Sequence, residues 1–316
     1  MKCGQQTTLR NEVLVEGRGV HGNKPVRIVL KPAEANVGVR FLLKGRNFGH
    51  ERLLRALWSE VSMTQLCTVI GHGSSGSVGT IEHLMAAICG LGLDNVHIEI
   101  DGPEVPIMDG SAQDFVQLID DAGIVTQKAS RRFLKILKKV RIENGPAFAE
   151  LAPARRGFKL DVAIDFTNPM IGAQRFEMEL DAKKFRKEVA GARTFGFVSD
   201  VKKLWSMGLA LGSSLQNSVA IEGERVLNPE GLRFKDEFVR HKMLDAIGDL
   251  ALAGAPIIGS YTSLRGGHKM NVAVLEALFA DSAAFAFVQD SAPARPVVGR
   301  AELGLAGVAA FAPGVD

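Results

Sequence analysis

The chain has 316 residues, of which 46% are hydrophobic, which suffices for two ordinary domains and excludes a disordered or fibrous protein. Lysine and arginine total 38 against 35 acidic residues, and the net charge of +3 gives no strong field for nucleic acid. The three cysteines form no CxxC pair, so neither a disulfide framework nor a cysteine zinc cage is indicated.

The N-terminus lacks the apolar core of a signal peptide, and no apolar segment approaches the ~20 residues that span a bilayer. The cysteine usage fits a reducing compartment. We therefore expect a cytoplasmic monomer with no transmembrane segment and no nucleic-acid partner.

The predicted elements begin with strands and then alternate. Strands are expected over residues 12–17, 26–33, 37–43, 66–70 and 95–101, and helices over 80–92 and 111–123. The polar stretch 127–132 (QKASRR) predicts a boundary between domains 1–128 and 133–316.

The predicted second domain shows the same mixture of strands and helices. Its predicted strands cover residues 133–145, 148–154 and 158–166, and helices are expected near 181–190 and over 237–253. Residues 271–278 suit either a strand or a helix.

Two helical segments carry metal-ligand residue types. HKMLDAIGD sets His241, Asp245 and Asp249 one turn apart on one side of a helix. TIEHLMAAI places Glu82 and His83 just after Thr80, a good N-cap residue. Taken alone, each pattern is more typical of an ordinary structural helix, but together they favour one shared metal.

Two histidines and an aspartate usually bind zinc with the fourth position open to water, which indicates chemistry. Glu82 would be the general base for that water, and His268 in GGHKMN a second proton-handling group. The site accepts Zn²⁺ or Fe²⁺. These residues predict a metallohydrolase.

The loop GHGSSG at 71–76 formally matches a dinucleotide-binding fingerprint, which keeps an NAD-dependent oxidoreductase as an alternative. Against it, three further residues separate the loop from the helix at Thr80, so we interpret it as a flexible hairpin connection. The basic run 131–142 leaves open a non-catalytic RNA- or lipid-binding protein, although a solvated edge strand explains it better.

Other candidates have simpler explanations. HERLL, beginning at His50, lacks the second histidine of a zincin site. Turn capping explains the carboxylates Asp101, Glu104 and Asp109. RTFGF (193–197) and GLALGSS (208–214) suit core packing or a slot for an apolar chain, with the Thr194 hydroxyl able to donate to an oxyanion.

Seven motifs in this order resemble the UDP-3-O-acyl-N-acetylglucosamine deacetylase family of bacterial lipid A synthesis: GVHGNK, TIEHLMAA, PEVPIMDGSA, IDF, RTFGF, HKMLDAIGD and GGH. The resemblance spans most of the chain. It implies an α+β fold of two similar domains, with helices sandwiched between two β-sheets and the active site between the domains. It also implies a UDP-sugar substrate with a 3-O-acyl chain and an N-acetyl group.

The resemblance further implies roles for individual residues. The metal ligands fall on His83, His241 and Asp245, and the catalytic groups on Glu82, His268, Thr194 and Asp249, the last holding His268 in its charged form. The substrate-binding residues fall on Lys242, Arg265, Phe195, Asp165, Phe166, Ser213 and Ser214. Within that set, Lys242 and Arg265 face the diphosphate, Asp165 and Phe166 lie by the uracil ring, and Phe195 helps to form the acyl passage.

Overall fold

The structure is a computed structural model that describes residues 4–44, 51–72 and 76–289. Its strands before Arg131 are β1 (Gln5–Leu9), β2 (Val13–Arg18), β3 (Pro25–Pro32), β4 (Val39–Leu43), β5 (Arg52–Arg55), β6 (Val61–Met63), β7 (Val69–Gly71), β8 (Ser77–Val78), β9 (Val96–Ile100) and β10 (Ile124–Ser130). The later strands are β11 (Arg132–Ile136), β12 (Val140–Asn144), β13 (Ala147–Ala152), β14 (Phe158–Asp165), β15 (Ala173–Glu179), β16 (Phe195–Phe197), β17 (Val219–Glu222), β18 (Arg225–Val226), β19 (Ile257–Leu264) and β20 (Phe285–Gln289).

The helices are α1 (Glu82–Leu91), α2 (Gln113–Ala122), α3 (Ala182–Lys184), α4 (Val198–Ser206), α5 (Glu237–Leu250) and α6 (His268–Ala280). A π-helical turn continues α3 over Phe185–Val189, and 3₁₀ turns occupy Trp58–Glu60 and Ala251–Ala253. Among the described residues no helix is long and apolar enough to cross a membrane. Cys67 and Cys89 are free thiols.

Two large sheets form the outer layers. The first has strand order β2-β3-β9-β4-β5. The second runs β12-β13-β19-β11-β20, and β14 joins it beside β19 with β15 on its other side. Alternation along the strands builds the core: Val26, Ile28 and Leu30 of β3 are buried, with exposed or half-buried residues between them.

Helices fill the space between these sheets. Helix α2 packs on β2, α1 packs on α2 and α5, and α5 and α6 pack on strands of the second sheet. Nine of the ten residues of α1 are buried, as expected for a helix that is covered on all sides. This arrangement confirms the predicted α+β class with helices sandwiched between sheets.

Most predicted elements occur near their expected positions, and the open choice at 271–278 is resolved as part of α6. The stretch 127–132, where we predicted a domain boundary, is ordered: β10 runs to Ser130 in pairing with β1, and the Arg131 side chain is buried against Asp94. Backbone pairing and a buried ion pair therefore hold this polar segment. The division into domains 1–128 and 133–316 stays a prediction.

The basic run 131–142 also departs in part from its prediction. Strand β12 is an edge strand, as expected, but β11 lies between β19 and β20 inside the sheet. Side chains along β11 alternate between the two faces of the sheet: Leu134 and Ile136 are buried, whereas Phe133 and Lys135 are half-buried and Arg132 is exposed. Strand β11 therefore contributes to the core.

Candidate metal centre and catalytic site

The metal-ligand residues lie where α1 and α5 approach each other closely. A Cβ atom at Gly248 would lie 2.0 Å from the carbonyl oxygen of Glu82, so only glycine permits this contact. The contact brings the first turn of α1 against the second half of α5. Residues separated by more than 150 positions thereby share one buried site.

His83, His241 and Asp245 form a cluster in which each residue offers one ligand atom and all of these atoms lie within 4.8 Å of one another. Nε2 of His241 is 3.4 Å from Oδ1 of Asp245, and Nε2 of His83 is 3.7 Å from the same oxygen. None of the three side chains is more than 5% exposed. The structure thus brings together all three ligands that the sequence predicts.

The hydrogen bonding and the charge of His241 suit it to act as a nitrogen ligand. Its Nδ1 lies 3.1 Å from the carbonyl oxygen of Ala192, so Nδ1 donates and Nε2 keeps its lone pair. Burial lowers the pKa of His241 to about 3, although Asp245 opposes the shift, and the ring is therefore neutral at neutral pH.

Asp245 provides a test of whether a cation fits. Its buried Oδ1 accepts no hydrogen bond from any described residue, although two imidazole nitrogens face it. A buried carboxylate oxygen without a donor is costly, and a cation between it and the two nitrogens removes that cost. Zinc ligands about 2.0–2.1 Å from a tetrahedral ion lie roughly 3.4 Å apart, close to the spacing of these atoms. The residues fit a divalent metal.

Thr68 connects the proposed general base to a second carboxylate. Its backbone N–H donates to Oε2 of Glu82 at 3.0 Å, and its hydroxyl donates to Oδ1 of Asp249 at 2.6 Å. Glu82 is almost wholly buried, and burial is the main reason that its pKa is raised. A carboxylate with a raised pKa is better matched to proton transfer near neutral pH.

His268 is held by the other oxygen of Asp249. Its Nδ1 lies 2.8 Å from Oδ2 of Asp249, and its Nε2 lies 4.0 Å from Oδ2 of Asp245. Burial lowers the pKa of His268, but Asp249 and Asp245 outweigh it and raise the pKa to about 9. Asn271 donates to the same oxygen of Asp249 at 2.8 Å. His268 is therefore held as a charged proton donor.

Lys242 and Arg265 make contacts within the protein. Nζ of Lys242 lies 2.7 Å from Oδ2 of Asp245; burial lowers the pKa of Lys242, but Asp245 raises it overall. The exposed Arg265 pairs with Asp165 at 2.5 Å. The residues expected near the diphosphate and near the uracil ring are thus neighbours.

An aromatic cluster lies beside His241. The ring of Phe195 is 6.2 Å from the ring of His241, 5.0 Å from Phe238 and 5.8 Å from Phe166. The backbone of Thr194 is fixed on both sides, because its N–H donates to Gly110 and its carbonyl accepts from Val219. Phe166, predicted to lie by the uracil ring, and Phe195, predicted for the acyl passage, are thus in contact.

Ser213 and Ser214 form a turn close to the N-terminal part of the chain. The hydroxyl of Ser213 is 3.2 Å from that of Ser218, and the N–H of Ser214 donates to the side chain of Asn217 at 2.8 Å. Gly212 just before them donates its N–H to Val20 at 2.9 Å. The serine turn therefore docks on the GVHGNK motif.

Sequence reasoning missed three groups of this site: Thr68, the Ala192 carbonyl and Asn271. Thr68 lies in a segment that we predicted only as a strand, and 181 residues separate it from Asp249. The only sequence feature that could have indicated its role is a hydroxyl side chain within the otherwise apolar run at 66–70. The predicted N-cap was wrong: Ile81 precedes α1 with no side-chain cap, and Thr80 takes a left-handed φ of 57°.

The rejected motifs can also be placed. Strand β7 pairs antiparallel with β8, so the 71–76 segment connects two strands. A dinucleotide site would instead require it to lead directly into a helix. Residues 73–75 and His50 lie outside the described residues. Asp109 accepts from the N–H of Ser111, and Asp101 from that of Arg27. Glu104 accepts from the N–H groups of His21 and Gly22 and so fixes the GVHGNK motif.

Comparison with known proteins identifies the family of this chain. The profile of the family described as UDP-3-O-acyl N-acetylglycosamine deacetylase matches residues 6–280. Relatives named UDP-3-O-acyl-N-acetylglucosamine deacetylase from Brucella ovis, Brucella canis and Brucella melitensis biotype 2 are each 47% identical over 285 residues, which is 90% of this chain and 98% of each relative. The chain therefore belongs to the UDP-3-O-acyl N-acetylglycosamine deacetylase family.

Proposed function

We propose that the protein hydrolyses the N-acetyl group of UDP-3-O-acyl-N-acetylglucosamine, an early step of lipid A biosynthesis, and releases acetate and the free sugar amine. Family membership supports the reaction and the substrate. The observation that carries the residue roles is the unsatisfied Oδ1 of Asp245 between two imidazoles, with a buried glutamate and a charged histidine held beside it.

We assign the metal to His83, His241 and Asp245, with Zn²⁺ as the preferred ion and Fe²⁺ as the alternative. When bound, such an ion lowers the pKa of water and stabilises negative charge on the substrate carbonyl. The Ala192 carbonyl keeps the Nε2 lone pair of His241 directed at the ion's position.

Glu82 and His268 handle the protons. A carboxylate oxygen of Glu82 accepts a proton from the attacking water, and Thr68 keeps that carboxylate oriented. Nε2 of His268 holds a proton close to the developing oxyanion, while Asp249 holds Nδ1. The Thr194 hydroxyl donates to the same oxyanion, and the amine nitrogen leaves with a proton as the C–N bond breaks.

The remaining residues bind the substrate. Phe195 forms one wall of the acyl passage, and Phe166, which contacts Phe195, lies by the uracil ring. The turn at Ser213 and Ser214 contributes polar groups at the edge of the passage. Lys242 and Arg265 provide the positive charge for the diphosphate, and Asp165 lies by the uracil ring. We also propose that the enzyme acts as a monomer in the cytoplasm, where the free thiols Cys67 and Cys89 stay reduced.

The test combines metal analysis with acetate release from a synthetic UDP-3-O-acyl-N-acetylglucosamine. Protein purified without chelator should hold about one equivalent of zinc or iron. Glu82→Gln should retain the metal and lose turnover, whereas His241→Ala should lose both. Glu276→Gln, an exposed site on α6, is the matched control and should change neither. Full turnover by Glu82→Gln would overturn the assignment of the base.

A further inference from the structure

A cavity of about 360 Å³ lies beside α1 and α5 and is lined by residues from before and after Arg131. None of the proposed metal ligands, and neither Glu82 nor His268, lines it. Its volume lies within the range of small-molecule pockets. The proposed reaction makes no use of this cavity.

The interior of the cavity is apolar. The apolar lining residues that remain half-buried are Val39, Leu57, Ala251, Ala255 and Pro256. Beneath them, buried side chains of α1 and α5 close the floor. An apolar chain fits this lining.

The rim carries three arginines, of which Arg40 donates its Nε to the Val37 carbonyl at 3.0 Å. Arg40 of β4 and Arg55 of β5 both line the cavity and lie directly opposite each other in an antiparallel pair, an arrangement that repulsion between like charges destabilises. Arg132 also lines it and lies over the ring of Phe287. Within the described ranges none of these arginines forms an ion pair with a carboxylate.

The other polar groups at the rim are already satisfied. Gln6, Asn36 and Asn95 hydrogen-bond to one another, and Asp94, a carboxylate in the lining, pairs with Arg131 at 2.8 Å. The guanidinium groups are therefore the donors that remain for a ligand. An apolar interior with a cationic rim is complementary to a molecule with one apolar chain and an anionic head.

We propose that this cavity is a binding site for a medium-chain fatty acid, with the chain against the half-buried apolar lining and the carboxylate at Arg40, Arg55 and Arg132. The site is independent of the proposed acyl passage, which lies at Phe195. Binding bridges the two parts of the chain and stabilises both metal-bearing helices.

Isothermal titration of the full chain with decanoate tests the proposal. Arg55→Glu and Arg132→Glu should each weaken binding about tenfold or more, because each replaces a cation at the rim by an anion. Arg10→Glu is the matched control: Arg10 is exposed, lies outside the cavity lining, and should leave binding unchanged. Thermal unfolding of each variant verifies that it is folded.

Chain and head group are tested separately. Octanoate should bind about tenfold more weakly than decanoate, because it buries two fewer methylenes. Decanol, which lacks the charge, should bind at least tenfold more weakly. Ala251→Phe fills the cavity from the end of α5 and should abolish binding.

Three results would overturn the proposal. Decanoate binding that survives Ala251→Phe belongs elsewhere, for example in the acyl passage. Equal affinity for decanol and decanoate excludes a role for the arginines. Gln289 is part of the lining. If a chain that ends at Gln289 binds decanoate and the full chain does not, the residues after Gln289 occupy the cavity. All three concern binding alone and leave the proposed deacetylation unaffected.

Discussion

Helix α5 carries buried carboxylates at its start and in its second half, and the two differ in how completely they are hydrogen-bonded. At its start, Glu237 is fully buried and accepts hydrogen bonds from the backbone and guanidinium of Arg193 and from the N–H of Arg233. Two turns later, Oδ1 of Asp245 accepts none within the described part of the chain. The protein supplies donors to both oxygens of the first carboxylate, which serves the fold. In the second, Oδ2 pairs with Lys242, and Oδ1 is left for the metal that we propose.

The largest expected effect comes from removing the unsatisfied carboxylate. Asp245→Ala should lose the metal and lower deacetylation by more than about 1,000-fold, since the metal contributes several kcal/mol to the transition state. Metal content per chain and acetate release measure this. Metal content equal to that of wild type would mean that Asp245 is not a ligand.

The converse experiment removes the satisfied carboxylate. Glu237→Ala leaves Arg193 buried without its main partner, and should lower the free energy of unfolding by about 3–5 kcal/mol. Folded protein should still bind one metal ion. Glu230→Ala is the matched control, because Glu230 pairs with the same arginine but is 53% exposed, and should cost less than ~1 kcal/mol. Equal costs in urea unfolding would contradict the distinction.

Asp249 combines features of Glu237 and Asp245: the protein supplies its hydrogen bonds, as for Glu237, yet it holds a proposed catalytic group, His268. Asp249→Asn should lower turnover by about 10–100-fold with metal content unchanged, because the amide holds His268 less well in its charged form. The acetate assay and metal analysis test this together. Unchanged turnover would remove the positioning role of Asp249.

Thr68 allows a smaller change to the same network. Thr68→Val keeps the backbone donor to Glu82 but removes the hydroxyl donor to Asp249, and should lower the free energy of unfolding by about 1–3 kcal/mol. Thr68→Ser restores the hydroxyl and should recover most of the loss. If serine were no better than valine in urea unfolding, the hydroxyl would contribute nothing.

The smallest effect depends on pH. Burial raises the pKa of Asp109, but its hydrogen bonds with Arg233 and Ser111 lower it overall, so Asp109 stabilises the fold above its unfolded pKa and loses this contribution as pH falls. Asp109→Asn should cost less than ~1 kcal/mol at pH 7, because the pair is partly exposed. The difference from wild type, measured by urea unfolding, should shrink as pH falls from about 5 toward 3. A constant difference would exclude an electrostatic origin.

Much of the fold was accessible from the sequence because its elements are long and regularly patterned. Strand β3 alternates, and α5 presents its ligands at helical spacing, so both were predicted close to their observed bounds. The strand at 124–130 could not be predicted from the polar composition of 127–132, because its pairing with β1 and the bond between Arg131 and Asp94 involve distant parts of the chain.

The sequence by itself determined which residue types stand at helical spacing: Glu82 next to His83, and His241, Asp245 and Asp249 one turn apart. Only the tertiary structure decided that Gly248 lets α1 and α5 touch and that Thr68 joins Glu82 to Asp249. It also decided that one oxygen of Asp245 receives no hydrogen bond from the residues that the structure describes. Spacing along a helix follows from local geometry, whereas the satisfaction of a buried charge depends on groups that meet only when the chain is packed.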